Sequence, residues 1–170
     1  MNINGFEIER KFLIAMPEAA LLDDAECSEI VQTYLLPPAP HINARVRKRG
    51  REGSWTYTHT RKIRLSDLRR IEDEREISPE EYESLLQSAD PARNVIRKTR
   101  WVLPWKGQNF EIDIFPFWTD RALMELELED EAQSIELPPR IRVLREVTAD
   151  YRYLNSSLSK AIPFDEIEKG

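Results

Sequence analysis

Charged side chains occupy every second position in several segments of this chain, and the first such segment lies close to its start. Glu7, Glu9 and Lys11 occupy alternate positions, and the apolar Ile8 lies between the first two. In a β-strand, alternate side chains point to the same face. Because the same alternation recurs further along, the sequence predicts a fold built mainly from strands that each have one charged face.

The alternation, broken by turn residues, predicts strands at 6–14, 29–36, 43–48, 55–65, 68–77, 95–102, 109–115 and 122–129. Short helices are predicted at 17–24 and from Ser78 to about residue 89, where Ser-Pro-Glu-Glu is a strong helix start. Helical turns are predicted after about residue 138, ending with 153–162. Roughly eight strands favour a mainly β (α+β) domain spanning 1–170: a closed antiparallel barrel, or tunnel, with helices outside.

The composition of the chain limits the kinds of partner and the cell compartment that we expect for it. A net charge of −6 and a pI near 5.1 argue against general nucleic-acid binding. The single Cys27 cannot form an internal disulfide, which fits a reducing compartment. Neither an apolar run long enough to span a membrane nor a secretory leader is visible, so we expect a cytoplasmic protein that does not contact membranes. The sequence leaves a homodimer open.

The charged faces repeat one sign within a strand and differ in sign between strands. Exposed faces of half-buried strands are the ordinary explanation for such alternation, and they stay an alternative here. A solvated face, however, usually mixes uncharged polar residues with its charges. If all these faces lined one lumen, each sign would offset the desolvation of the other. The basic set is Arg45, Arg47, Lys62, Lys98 and Arg100, and the acidic set is Glu7, Glu9, Glu72, Glu74, Glu125 and Glu127.

A charged lumen indicates a charged ligand, because buried ion pairs often do no more than offset their desolvation cost. Arginine and lysine suit phosphate oxygens, and clustered carboxylates suit a hard cation such as Mg²⁺ or Mn²⁺. The two together predict a metal-assisted site for a small anion with several phosphates.

These segments resemble, in order, the motifs of CYTH proteins, also called triphosphate tunnel metalloenzymes. The N-terminal Glu-x-Glu-x-Lys is similar to the family signature. The charged pairs of the later strands follow in the family's order, so that the resemblance covers nearly the whole chain. The resemblance implies an eight-stranded antiparallel tunnel that binds triphosphates with a divalent metal. It places Lys11, Arg45, Arg47, Lys62, Lys98, Arg100 and the late Lys160 on phosphate. It places Glu7, Glu9, Asp113, Glu125 and Glu127 on metal, with Glu72, Glu74 and Tyr34 as catalytic candidates.

The activity expected from the resemblance is hydrolysis of inorganic tripolyphosphate, as in small bacterial members. A class IV adenylyl cyclase is the alternative, but the His-Phe pair that usually precedes the signature in that branch is missing. A thiamine triphosphatase would need an aromatic wall at one mouth of the tunnel. A non-catalytic module that binds polyphosphate or nucleotide is a further alternative, because the same side chains would serve it.

Overall fold

The structure is a computed structural model that describes residues 6–167. That part of the chain holds nine strands and two α-helices. The strands are β1 (Phe6–Ala15), β2 (Glu26–Tyr34), β3 (Ile42–Arg51), β4 (Ser54–Arg64), β5 (Arg69–Ile77), β6 (Ile96–Trp105), β7 (Gln108–Ile114), β8 (Arg121–Glu127) and β9 (Val143–Glu146). The helices are α1 (Pro79–Leu86) and α2 (Asn155–Leu158), and 3₁₀ turns occur at Ala19–Leu22 and Tyr151–Tyr153.

Eight of the strands close into an antiparallel barrel in the order β1-β5-β4-β3-β2-β6-β7-β8. Closure occurs at β1, which pairs with β5 through Phe6–Ile8 and with β8 through Glu9–Ala15. The predicted fold class is therefore confirmed. The extra strand β9 lies outside the barrel and pairs with β1. This strand was not predicted, since helical turns were expected in that region.

Much of the apolar core lies outside the barrel wall. One cluster packs the outward-facing Ile8, Phe12 and Met124 beneath covering loops. Another packs Tyr82 of α1 against the outer face of β3 and β5. Helix α1 begins as predicted, because the Ser78 hydroxyl accepts a hydrogen bond from the Glu81 amide at 3.1 Å. With apolar cover outside, the inward face of the wall is free to hold polar side chains.

One end of the barrel interior is closed by apolar side chains. Leu13 of β1 and Leu123 of β8 are paired across the two strands and are fully buried. Tyr153, from the 3₁₀ turn after β9, and Leu158, from α2, pack in the same cluster. The polar part of the interior therefore lies between this apolar plug and the other end of the barrel. No helix within residues 6–167 has the length and apolar character that a membrane crossing requires.

Candidate functional site

The barrel encloses a cavity of about 280 Å³ whose wall is predominantly charged. Its side chains come from every strand of the barrel, since inward positions alternate along each one. Twelve of the fifteen residues predicted for a site line it: Glu7, Glu9, Lys11, Tyr34, Arg45, Arg47, Lys62, Glu72, Glu74, Arg100, Glu125 and Glu127. The strand pattern thus brings these residues together, while their individual roles remain predictions.

Asp113 and the two remaining predicted lysines lie elsewhere. The Lys98 ammonium is completely buried and donates to an Asp113 oxygen at 2.7 Å, inside the wall formed by β6 and β7. Lys160 is exposed just after α2 and does not line the cavity. Lys98 and Asp113 are thus placed behind the cavity surface, where contact with a ligand would require them to exchange partners.

Opposite charges are already paired along the cavity wall. The Lys11 ammonium lies 3.1 Å from a Glu125 oxygen, and the Lys62 ammonium lies 3.1 Å from a Glu7 oxygen. Arg70, which sequence analysis did not assign to the site, forms a short ion pair with Glu9. These pairs neutralise the wall internally, so an anionic ligand would have to take over their cations.

Asp113 is a buried carboxylate held by two basic side chains. Burial alone would raise its pKa, but the adjacent Arg100 and Lys98 lower the pKa of Asp113 to about 2. Arg100 donates two hydrogen bonds to it, at 2.7 and 2.9 Å. Asp113 therefore stays ionised at neutral pH and fixes the orientation of Arg100, whose guanidinium lines the cavity.

Strand β3 provides a row of arginines, Arg45, Arg47 and Arg49, at alternate positions on the cavity wall. Burial, followed by repulsion from Arg45, lowers the pKa of Arg47 to about 10. Its ion pair with Glu74 is long, at 3.6 Å. This side of the cavity therefore has more positive charge than its own carboxylates offset, which suits phosphate oxygens.

Carboxylates gather on the opposite wall. Glu9 of β1 lies opposite Glu127 of β8 in the strand register, and Glu111 of β7 lies opposite Glu125 of β8. Burial first, and then repulsion from nearby carboxylates including Glu7, raises the pKa of Glu127. Burial also raises the pKa of Glu111, with Glu125 adding to the shift. Clustered anions of this kind are stabilised by a cation.

Oxygen donors of this kind fit a hard divalent cation such as Mg²⁺ or Mn²⁺. As arranged here, no three carboxylate, imidazole or thiol groups of residues 6–167 converge closely enough to hold an ion. The reason is visible in the contacts: Glu7, Glu9 and Glu125 are each turned towards a basic side chain. The donor set fits the cation, provided that these carboxylates first exchange their partners.

Several cavity residues were missed by sequence analysis. Arg70, Glu111 and Arg49 share the inward parity of assigned neighbours, so the same alternation rule could have found them. Asn155 and Ser156 of α2 also line the cavity. Nothing in their sequence signals this, because they reach the site through the fold of the chain after β9.

One family model and several solved structures match this chain. A model of the CYTH domain matches residues 5–161. A crystal structure described as the inorganic triphosphatase NE1496 is 32% identical, with a TM-score of 0.59 over 93% of this chain and 97% of that one. The PH1012 protein from Pyrococcus horikoshii is 23% identical, with a TM-score of 0.55 over 74% of this chain and 79% of that one, and shows the shared fold. A search of curated proteins found no match.

Proposed function

This chain belongs to the CYTH domain family, and we propose that it hydrolyses inorganic tripolyphosphate, or a closely related triphosphate, with a divalent cation as cofactor. The observation that supports the proposal most strongly is the convergence of both charge signs on one enclosed cavity. The similarity to NE1496, described as an inorganic triphosphatase, favours hydrolysis within this family.

Binding in this proposal falls to the basic side of the cavity. Arg45 and Arg47 from β3 and Arg100 from β6 would contact oxygens along the phosphate chain. Lys11 and Lys62 would join them on release from Glu125 and Glu7. A guanidinium can hold two oxygens at once, so Arg45, Arg47 and Arg100 would fix the chain in one orientation.

The carboxylates released by this exchange would hold the cation, with Glu7, Glu9, Glu125 and Glu127 as its predicted ligands and Asp113 behind them. When bound, the cation supplies charge neutralisation and polarises phosphate oxygens. Phosphoryl transfer demands positioning and electrostatic stabilisation more than covalent chemistry from the protein. Preorganised cations on the cavity wall are therefore expected to provide much of the rate enhancement.

Glu74 and Glu72 lie on β5, on the same face as the basic row, where an attacking water would need orientation. Burial tends to raise the pKa of Glu74, but the Thr60 hydroxyl and Arg47 lower it overall. The Thr60 hydroxyl donates to Glu74 at 2.7 Å. Glu74 is thus ionised at neutral pH and oriented to accept a hydrogen bond from water. Tyr34, also on the cavity wall, is the remaining catalytic candidate.

The proposal is tested by phosphate release from tripolyphosphate, pyrophosphate, ATP and thiamine triphosphate, each with Mg²⁺, Mn²⁺ or a chelator. We expect tripolyphosphate to be the best substrate and the chelator to stop turnover. Cyclic AMP formed from ATP would instead indicate a cyclase. Binding of tripolyphosphate without phosphate release under either metal would identify a non-catalytic module and contradict the proposed hydrolysis.

A further inference from the structure

A second cavity, of about 340 Å³, lies at the barrel end formed by the β3–β4 hairpin. Its wall includes Ser28 of β2 and Thr58 of β4. It shares Arg47 and Arg49 with the first cavity, so the two are adjacent spaces along one side of the barrel. None of its side chains belongs to the set predicted for the site, apart from Arg47.

The arginine row of β3 runs from one cavity into the other. Arg45 lines only the first, whereas Arg47 and Arg49 line both. With about 3.3 Å per strand residue, these alternate positions are about 6.6 Å apart, so the row extends about 13 Å along the wall. A linear anion that follows the row past Arg47 would therefore enter the second cavity.

Two residues that line the second cavity each have a buried polar atom without a hydrogen-bond partner among the described residues. The Thr58 hydroxyl and the Arg47 Nε atom are shielded from solvent and make no hydrogen bond to any described residue. Arg49 is held in place by a hydrogen bond from its Nε to the Ser28 hydroxyl at 3.0 Å. Glu26 is the one carboxylate on this wall among the described residues, and it is exposed. A buried hydroxyl beside two guanidiniums suits the oxygens of a phosphate group.

Building on the proposed function, we propose that the second cavity is a subsite for a fourth phosphate, so that the barrel binds linear polyphosphates longer than tripolyphosphate. Arg49 and the Thr58 hydroxyl would bind the oxygens of this fourth group. Arg49 would therefore determine the preference for chain length, while the first cavity holds the three phosphates common to both ligands.

The test compares linear tetrapolyphosphate with tripolyphosphate at a fixed concentration of free Mg²⁺, using KM from initial rates and the shift of the melting temperature. We expect wild-type protein to bind the longer chain several-fold more tightly. Because a charged hydrogen bond contributes about 1.5–3 kcal/mol, Arg49→Ala should raise KM for tetrapolyphosphate by about tenfold or more relative to KM for tripolyphosphate. Thr58→Val, which keeps the side-chain shape, should reduce the same preference by about threefold.

Arg61→Ala is the matched control, since Arg61 is exposed on the outer face of β4 and pairs with Asp73. It should leave both KM values unchanged. Equal effects of Arg49→Ala on both ligands, in protein that still hydrolyses tripolyphosphate, would overturn the subsite and leave the proposed function standing. If tripolyphosphate is not hydrolysed, the proposed function fails. The melting temperatures then decide the subsite: a larger shift with tetrapolyphosphate than with tripolyphosphate, reduced by Arg49→Ala, supports it, and equal shifts contradict it.

Discussion

At the scale of single residues, position across the barrel wall separates side chains that face a ligand from those that hold others in place. Asp113 and Lys98 have the inward parity, yet they bond to each other and are almost completely inaccessible. Arg100, two residues after Lys98, reaches the cavity while still bonded to Asp113. Parity therefore identifies the inward face, but it gives no information on depth.

Replacement of Asp113 by Asn should destabilise the fold even when a chelator removes all metal. Lys98 and Arg100 would lose their buried counter-charge, and breaking a buried pair costs about 3–5 kcal/mol. Urea unfolding at neutral pH measures this loss. Asp73→Asn is the control, because its pair with Arg61 is exposed. If Asp113→Asn were as stable as the wild-type protein in chelator, Asp113 would not be the counter-charge that stabilises Lys98 and Arg100.

Glu9→Gln should abolish metal-dependent phosphate release while the fold persists. Glu9 lies on the cavity wall, and an amide of the same shape removes its charge as a cation ligand. Phosphate release and the melting temperature should be measured on the same preparation. Glu129→Gln, at an exposed position, is the control. Turnover at the wild-type rate in Glu9→Gln would remove Glu9 from the site.

At the scale of elements, local signals predicted the barrel strands and α1 but not β9. Residues 143–146 read Val-Leu-Arg-Glu, with two apolar residues followed by two charged ones, so no two-residue period exists. The strand forms because it pairs with β1, and its Glu146 accepts from Arg10. Such a strand depends on a tertiary partner that is distant in sequence.

Removal of the α1 cap should cost stability without affecting catalysis. Ser78→Ala deletes the hydroxyl that accepts from the Glu81 amide, a loss of about 1 kcal/mol. For a domain of this size, we expect the melting temperature to fall by about 2–4 °C. Differential scanning calorimetry measures the fall, and phosphate release should be unchanged. A large loss of activity would indicate that α1 contributes to the site.

The segment after β9 should become locally less stable at acidic pH or when Asp165 is neutralised. Asp165 accepts hydrogen bonds from Arg145, Arg152 and Tyr153 at 2.8–2.9 Å. Hydrogen bonds from Arg152 and Tyr153 lower the pKa of Asp165. Hydrogen bonds from Arg152, the larger contribution, and from Arg145 lower the pKa of Asp150 to about 2.

Because both pKa values are lowered in the folded state, their stabilising contribution is present above the ordinary carboxyl pKa and is lost as pH falls through the lowered values. Amide exchange followed by NMR from pH 5 to pH 2 should therefore show early loss of protection after residue 150. Asp165→Asn should show the same local loss already at pH 5. Equal protection in both proteins at pH 5 would contradict the anchoring role.

At the scale of the whole molecule, the sequence predicted the closed barrel and most of the cavity wall, because inward parity survives barrel closure unchanged. It could not predict which cations and carboxylates pair with each other on the cavity wall. Those contacts depend on strand order and stagger, which bring Lys62 of β4 to Glu7 of β1 and Arg70 of β5 to Glu9. Nor could it place Asn155 on the wall, since α2 docks through long-range packing.

In the proposed mechanism, phosphate groups and a divalent cation share the lumen by taking over the two halves of its internal ion pairs. Each ligand then releases groups that the other needs, so their binding should be cooperative. The most direct measurement is the melting temperature with tripolyphosphate, with Mn²⁺ and with both, under conditions too brief for turnover. Native-state ligands raise it through RT ln(1 + [L]/Kd). We predict a shift with both ligands that exceeds the sum of the separate shifts, whereas an additive shift, or no shift with any combination, would contradict this exchange of partners.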